Sequence, residues 1–172
     1  MNGKPIVIII LLCAVLAGAG LYYQQVYAYY FEVTPSPGQD VTLVRKGSTE
    51  AEPIAYEGFQ AIDADSSPIR YRACFTTDLD PQVLDGTYER VQDPTPLVGP
   101  RWFDCFDATG LGAALEAGEA QAYLSEKNVH FGVDRVVAIL SDGRGYAWHE
   151  LNDCGEKAYD GTVVGEECPP RE

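Results

Sequence analysis

Histidine, methionine and positive charge are all scarce in this chain of 172 residues. A catalytic triad or a histidine-based metal centre would have to draw on His130 or His149, the two histidines present. A single methionine argues against a copper carrier. There is no C-x-x-C-H, C-x-x-C, glycine-rich phosphate loop, G-x-S-x-G or H-E-x-x-H. Covalent haem, dithiol redox, P-loop, nucleophile-elbow and zinc-peptidase chemistry are thereby excluded in their usual forms. The sequence assigns no catalytic residue, no cofactor and no metal ligand. Twelve basic residues face 26 acidic ones, and Lys4 is the only charged residue before Glu32, so 26 acids and 11 bases lie from Phe31 onward. Such a field repels phosphate backbones, which excludes nucleic acid, and attracts basic partners.

What is abundant comes first in the chain. Pro5 to Leu21 is uncharged and rich in Ile, Val, Leu and Ala, and Tyr22 to Phe31 continues without charge. About 20 helical residues cross a bilayer core, so a single transmembrane helix is expected over 5–30, its tyrosines forming an interfacial belt. Residues 1–4, with Lys4 and the α-amino group, are expected in the cytoplasm, since Glu32 and Asp40 follow on the other side. Ala17, Gly18 and Ala19 would suit a signal-peptide cleavage site. The length of the apolar run and the aromatic sequence beyond it favour a retained anchor. Cys13 follows the bulky Leu12, which is unsuited to lipid attachment.

Thr34, Pro35, Ser36, Pro37 and Gly38 cannot be helical, so 31–38 is expected as a linker and 39–172 as the globular domain. Its four cysteines, Cys74, Cys105, Cys154 and Cys168, read as two disulfides of an exported domain. Three pairings are open, and the local one, Cys74 with Cys105 and Cys154 with Cys168, is preferred. Strands are expected at 40–45, 69–75, 120–125, 133–140 and 145–150, with a short pair at 156–159 and 162–164. A helical turn follows Asp80 and Pro81, and the main helix spans 107–117, capped by Asp107 or Thr109 and stopped by Gly118. The prolines of 92–100 make a surface loop. The class is α+β: one antiparallel sheet and one main helix behind a membrane helix.

Asp142 to Glu150 is the most unusual segment. Alternation puts Arg144, Tyr146, Trp148 and Glu150 on one strand face and Gly145, Ala147 and His149 on the other. A guanidinium beside two aromatics is a recognition surface, so Arg144, Tyr146, Trp148, His149 and Glu150 are the expected binding residues. A core role for Tyr146 and Trp148 is the competing expectation. Zinc or copper would require His130 and His149 to meet with Asp134 or Glu150, and calcium could use Asp63 to Pro68, although the spacing there fits no twelve-residue calcium loop. Arg70 and Arg72 are expected to pair with that acidic turn, and Trp102 to Phe106 to pack around a disulfide.

The runs QVYAYY at 25–30, FQAIDADSSPIRYRACF at 59–75, WFDCFDA at 102–108 and DRVVAILSDGRGYAWHE at 134–150 resemble a domain-of-unknown-function family of small single-pass proteins from marine and photosynthetic alphaproteobacteria. The resemblance implies a bacterial inner membrane with the domain in the periplasm, and it implies no activity. With the charge and the missing motifs, the expected function is a non-enzymatic interaction or accessory protein, attached to an inner-membrane complex or to a basic periplasmic protein. The alternatives are an envelope enzyme acting on glycan or peptide through a carboxylate pair and His149, and a domain binding a small ligand or metal.

Overall fold

The computed structural model describes residues 3–170; Met1 and Asn2 of the expected cytoplasmic segment, and the last two residues of the expected domain, lie outside the described residues. Helix α1 (Lys4–Tyr23) is entered at Pro5, where the missing N–H has no partner to lose, and no residue of it is buried. A wider π-helical turn, Gln24–Ala28, extends it, with Tyr29 N–H donating to Gln24 O at 3.1 Å. Lys4–Ala28 is long and apolar enough to cross a membrane, as an anchor or as a signal sequence.

The chain then enters a sheet at once. The expected linker begins as β1 (Phe31–Glu32), which pairs antiparallel with β4 (Glu57–Asp63), and Val33 N–H continues the pairing to Ala61 O. Next come β2 (Thr42–Val44) and β3 (Ala51–Pro53), a two-stranded sheet, then β5 (Arg72–Thr76), α2 (Pro81–Thr87), α3 (Ala108–Glu116), β6 (Ala120–His130), β7 (Val133–Leu140) and β8 (Arg144–Leu151). The main sheet runs β1-β4-β5-β8-β7-β6, with every neighbouring pair antiparallel.

Both faces of this sheet are covered. On one, α3 and the loop before it place Phe103, Phe106, Leu111 and Ala114 over Val136, Ala138, Tyr146 and Trp148. On the other, Val41, Leu43, Ile54 and Leu84 cover Ala73, Phe75, Tyr123, Val137, Ile139 and Ala147. Double coverage explains why β7 reads from Val136 to Leu140 as a continuous apolar run rather than as clean alternation. Local signals set the ends: Asp80 caps α2 by accepting from Gln82 N–H, and Asp107 caps α3 by accepting from Gly110 N–H. The β7–β8 turn uses Gly143 at φ +85°, where a Cβ would also meet Thr77 O at 2.7 Å.

Cys74 is bonded to Cys105, and Cys154 to Cys168. Two expectations are corrected. Arg70 and Arg72 do not pair with the acidic turn: Arg72 is buried and donates to the carbonyls of Leu97, Ile69 and Tyr71, while Arg70 donates to Gln25 Oε1. Three carbonyl dipoles take the place of a carboxylate, and burial pulls the Arg72 guanidinium down to about 10. The expected 156–164 strand pair reduces to a single bridge, Lys157 with Val163.

Candidate binding site

The five residues expected to bind do not form one surface. Strand alternation holds, but the face carrying Tyr146 and Trp148 is the core, where they are 5% and 0% exposed. Arg144 sits at the solvent-exposed start of β8, paired with Asp142 at 2.8 Å and donating to the Tyr146 hydroxyl. At the far end Glu150 emerges half-buried on the Trp148 side. The residues are separated because a strand packed on both faces opens to solvent only at its ends.

His149 lies on the opposite face, 1% exposed, stacked on Tyr71 with ring centroids 4.6 Å apart. Its Nδ1 is 2.8 Å from Pro68 O, a pure acceptor, so Nδ1 carries the proton and donates. Nε2 is then the acceptor for Arg135 Nε at 3.1 Å, and the Arg135 guanidinium lies over the Tyr71 ring. Burial drives this imidazole down to about 4, with Arg135, His130 and Arg72 adding repulsion against the opposing Pro68 carbonyl. With both nitrogens engaged, the ring has no free nitrogen to take a substrate proton or bind a metal. That removes the base from the His149 version of an envelope enzyme. His130 is near, with ring centroids 5.9 Å apart, yet among the described residues no group of three or more His, Cys, Asp or Glu could hold a metal ion.

The more informative site is where Glu150 emerges. Asp134 on β7 is its cross-strand partner, and both side chains line a cavity of about 820 Å³ bounded by the loop at 89–97, the start of β7 and the segment after β8. Its wall is apolar at Ile69, Val91, Leu97, Leu124 and Val136. Glu150 Oε2 accepts from Trp148 Nε1 at 2.9 Å and from Thr95 N–H at 3.0 Å. Asp134 Oδ1 accepts from Asn128 N–H at 2.8 Å and Asn152 Nδ2 at 2.7 Å. Burial pushes the Glu150 carboxyl up and the Asp134 charge adds to it, while the N–H donors pull the other way. Asn128 reaches Asp134 because β6 slips register between Glu126 and His130 and turns Asn128 to φ +52°. In the sequence Asp134 stands out only as a possible metal partner, and Thr95, Leu97 and Asn152 carry no local signal of a site. The alternation that puts Asp134 on the Val136 and Ala138 face was the available signal.

The fold and site define an α+β domain with a lined cavity at one end of its sheet, carried behind an apolar helix. The chain belongs to DUF6446, a family of unknown function, whose model matches residues 41–169. That stretch holds the second face cover, the sheet from β4 onward, both disulfides and the whole cavity. No curated protein and no solved structure matches the chain.

Proposed function

We propose that the chain is a non-enzymatic accessory protein, anchored in a bacterial inner membrane by α1 with its N-terminus in the cytoplasm and its acidic domain in the periplasm. Its partner is an inner-membrane complex or a basic periplasmic protein. The observation that carries the reading is how the domain sits on its own helix. Trp102 Nε1 donates to Val26 O at 2.6 Å, Arg70 donates to Gln25, and Tyr30 contacts both the Trp102 ring and the Arg70 guanidinium. With β1 joined to the sheet directly after the helix, the domain is held in a set orientation at the membrane. A fixed pose serves a binding face that must meet a neighbour. The two disulfides suit an oxidising compartment, and Lys4 suits the cytoplasmic side.

Native purification of the tagged full chain in mild detergent is expected to retain a partner in stoichiometric amount. If that partner is soluble and basic, its yield should drop several-fold between low and high salt, because screening weakens attraction between exposed charges. Recovery of the chain alone at low salt overturns the proposal. The seat itself can be tested with Trp102→Phe, which keeps the ring and removes the donor to Val26 O. Losing a hydrogen bond of about 1 kcal/mol is expected to speed amide exchange at Val33, whose N–H is bonded to Ala61 O, roughly five-fold while leaving β7 unchanged.

A further inference from the structure

We propose that the cavity beside Asp134 and Glu150 binds an aliphatic cation, an alkylammonium or alkylguanidinium group at the end of a chain of methylenes. This names the ligand class of the domain's binding site and rests on the reading of the domain as a binding module. The two carboxylates are antiparallel partners on β7 and β8, projecting from one face into one cavity. Like charges placed directly opposite on neighbouring strands repel, and taking charge out of water is unfavourable unless it is compensated. Every hydrogen bond that the two carboxylates accept comes from a neutral N–H, from Thr95, Trp148, Asn128 and Asn152. None of the ion pairs among the described residues includes either group.

Their free oxygens show where a cation would go. The four donors use Oδ1 of Asp134 and Oε2 of Glu150, which leaves Oδ2 and Oε1 without a hydrogen bond. Among the described residues no fully buried side-chain oxygen lacks a partner, so these two oxygens keep some exposure, and both residues line the cavity. Each can accept from a donor-only group such as an ammonium or guanidinium. The wall also carries Arg90 and Lys127, which pair with Asp85 and Glu166, and its apolar part favours an organic cation over a small hydrated ion. Ile69, Val91, Leu97, Leu124 and Val136 offer apolar surface to methylenes, as the stem of a long basic side chain requires. At about 820 Å³ the cavity is large enough for an extended diamine or for a basic side chain with its flanking backbone. With Glu89, Asp93 and Asp153 on the same wall, acids outnumber Arg90 and Lys127, which suits a second positive group.

Free polyamine and a partner's Lys or Arg share this chemistry, and calorimetric titration of the full chain in mild detergent separates them. The probes are spermidine, an acetylated and amidated Lys-Lys dipeptide, and magnesium as a charge-only control. Saturable one-site binding of an organic probe, not displaced by equimolar magnesium, is expected. Spermidine alone points to a free polyamine; the dipeptide, alone or with spermidine, points to a protein-borne side chain. Both substitutions Asp134→Asn and Glu150→Gln retain a carbonyl for the N–H donors. Singly they are expected to weaken binding several-fold and together at least ten-fold, whereas Glu57→Gln, outside the cavity, changes it less than two-fold. Tryptophan fluorescence in a Trp102→Phe background, which leaves Trp148 as the single tryptophan, reports both folding and, through Glu150, occupancy. Absence of saturable binding of either organic probe, equal competition by magnesium, or an equal loss in Glu57→Gln overturns the proposal. A partner that still co-purifies with the double variant while wild type binds neither probe removes the cation site and leaves the accessory reading standing. Binding without any co-purified partner does the reverse.

Discussion

Replacing Cys74 and Cys105 together by alanine is expected to lower the stability of the domain by about 4 kcal/mol, the loop-entropy value for a bridge spanning some thirty residues. The bridge joins β5 to the irregular segment that carries Trp102, Phe103 and Phe106, with a sequence separation of 31. That segment has no strand or helix to hold it, and its prolines remove backbone donors. Phe103 and Phe106 nevertheless form part of the core face under α3. Without the bridge, the unfolded chain gains freedom and the segment loses its tether, and with it goes the Trp102 bond to Val26 O. A shift of more than 10 °C in the midpoint of thermal unfolding, followed by the far-ultraviolet circular dichroism of the sheet in detergent, is the expected reading. Alanine at Cys154 and Cys168 should behave differently, although the same model gives about 3 kcal/mol for a loop of that size. The tail it closes is largely exposed and returns to the sheet mainly through the Lys127–Glu166 ion pair. It can open on its own, so the bridge's effect is spent on local rather than global unfolding. The consequence is a loosened wall at Asp153 and Glu166 with little change in midpoint. Equal midpoint shifts for the two pairs would contradict this division.

The parts of the fold that the residues announce are those with strong local signals. α2 and α3 begin at carboxylate caps and α3 ends before Gly118, β7 and β8 are dense in β-branched and aromatic residues, and a glycine turn joins them. β4 gives no strand signal because it runs near the sheet margin with only Ala61 and Ile62 buried, so its seven residues show no sustained period. β1 is two residues long and is set by pairing rather than composition. Arg72 misled for another reason: an arginine beside aspartates suggests an ion pair, but strand direction turned it under the 97–100 loop, where carbonyls were nearer. The site was half legible. Glu150 was named from its strand, whereas its partner Asp134 depends on the register of two strands, and the apolar wall depends on a proline-rich loop whose path no periodicity encodes. Register and loop path are tertiary properties, and they made the cavity.

His149 should make the domain lose stability as pH falls from about 6.5 toward 4. In the unfolded chain an imidazole binds its proton near 6.5, and in the fold burial has lowered that to about 4. Between those values the unfolded state holds the extra proton, so stability rises with pH across the window and is flat above it. By linkage this amounts to about 2 to 3 kcal/mol between pH 7.5 and 4.5. Protonating Nε2 would place a second cation against Arg135 Nε, with His130 and Arg72 close by and only the Pro68 carbonyl in support. Glu150 and Asp63 act in the opposite sense, because burial raises their folded affinity for protons. Their contribution is shared by His149→Gln, so the difference between the two proteins isolates the imidazole. At pH 7.5 the variant should be the less stable, having lost the Tyr71 stack and part of the hydrogen bonding. As pH drops the two profiles should converge by about 2 kcal/mol, since only wild type has a group forced to charge on unfolding. Parallel profiles over the whole range would mean that the fold accommodates the imidazolium, with Arg135 swinging toward Glu126, its existing partner at 3.5 Å.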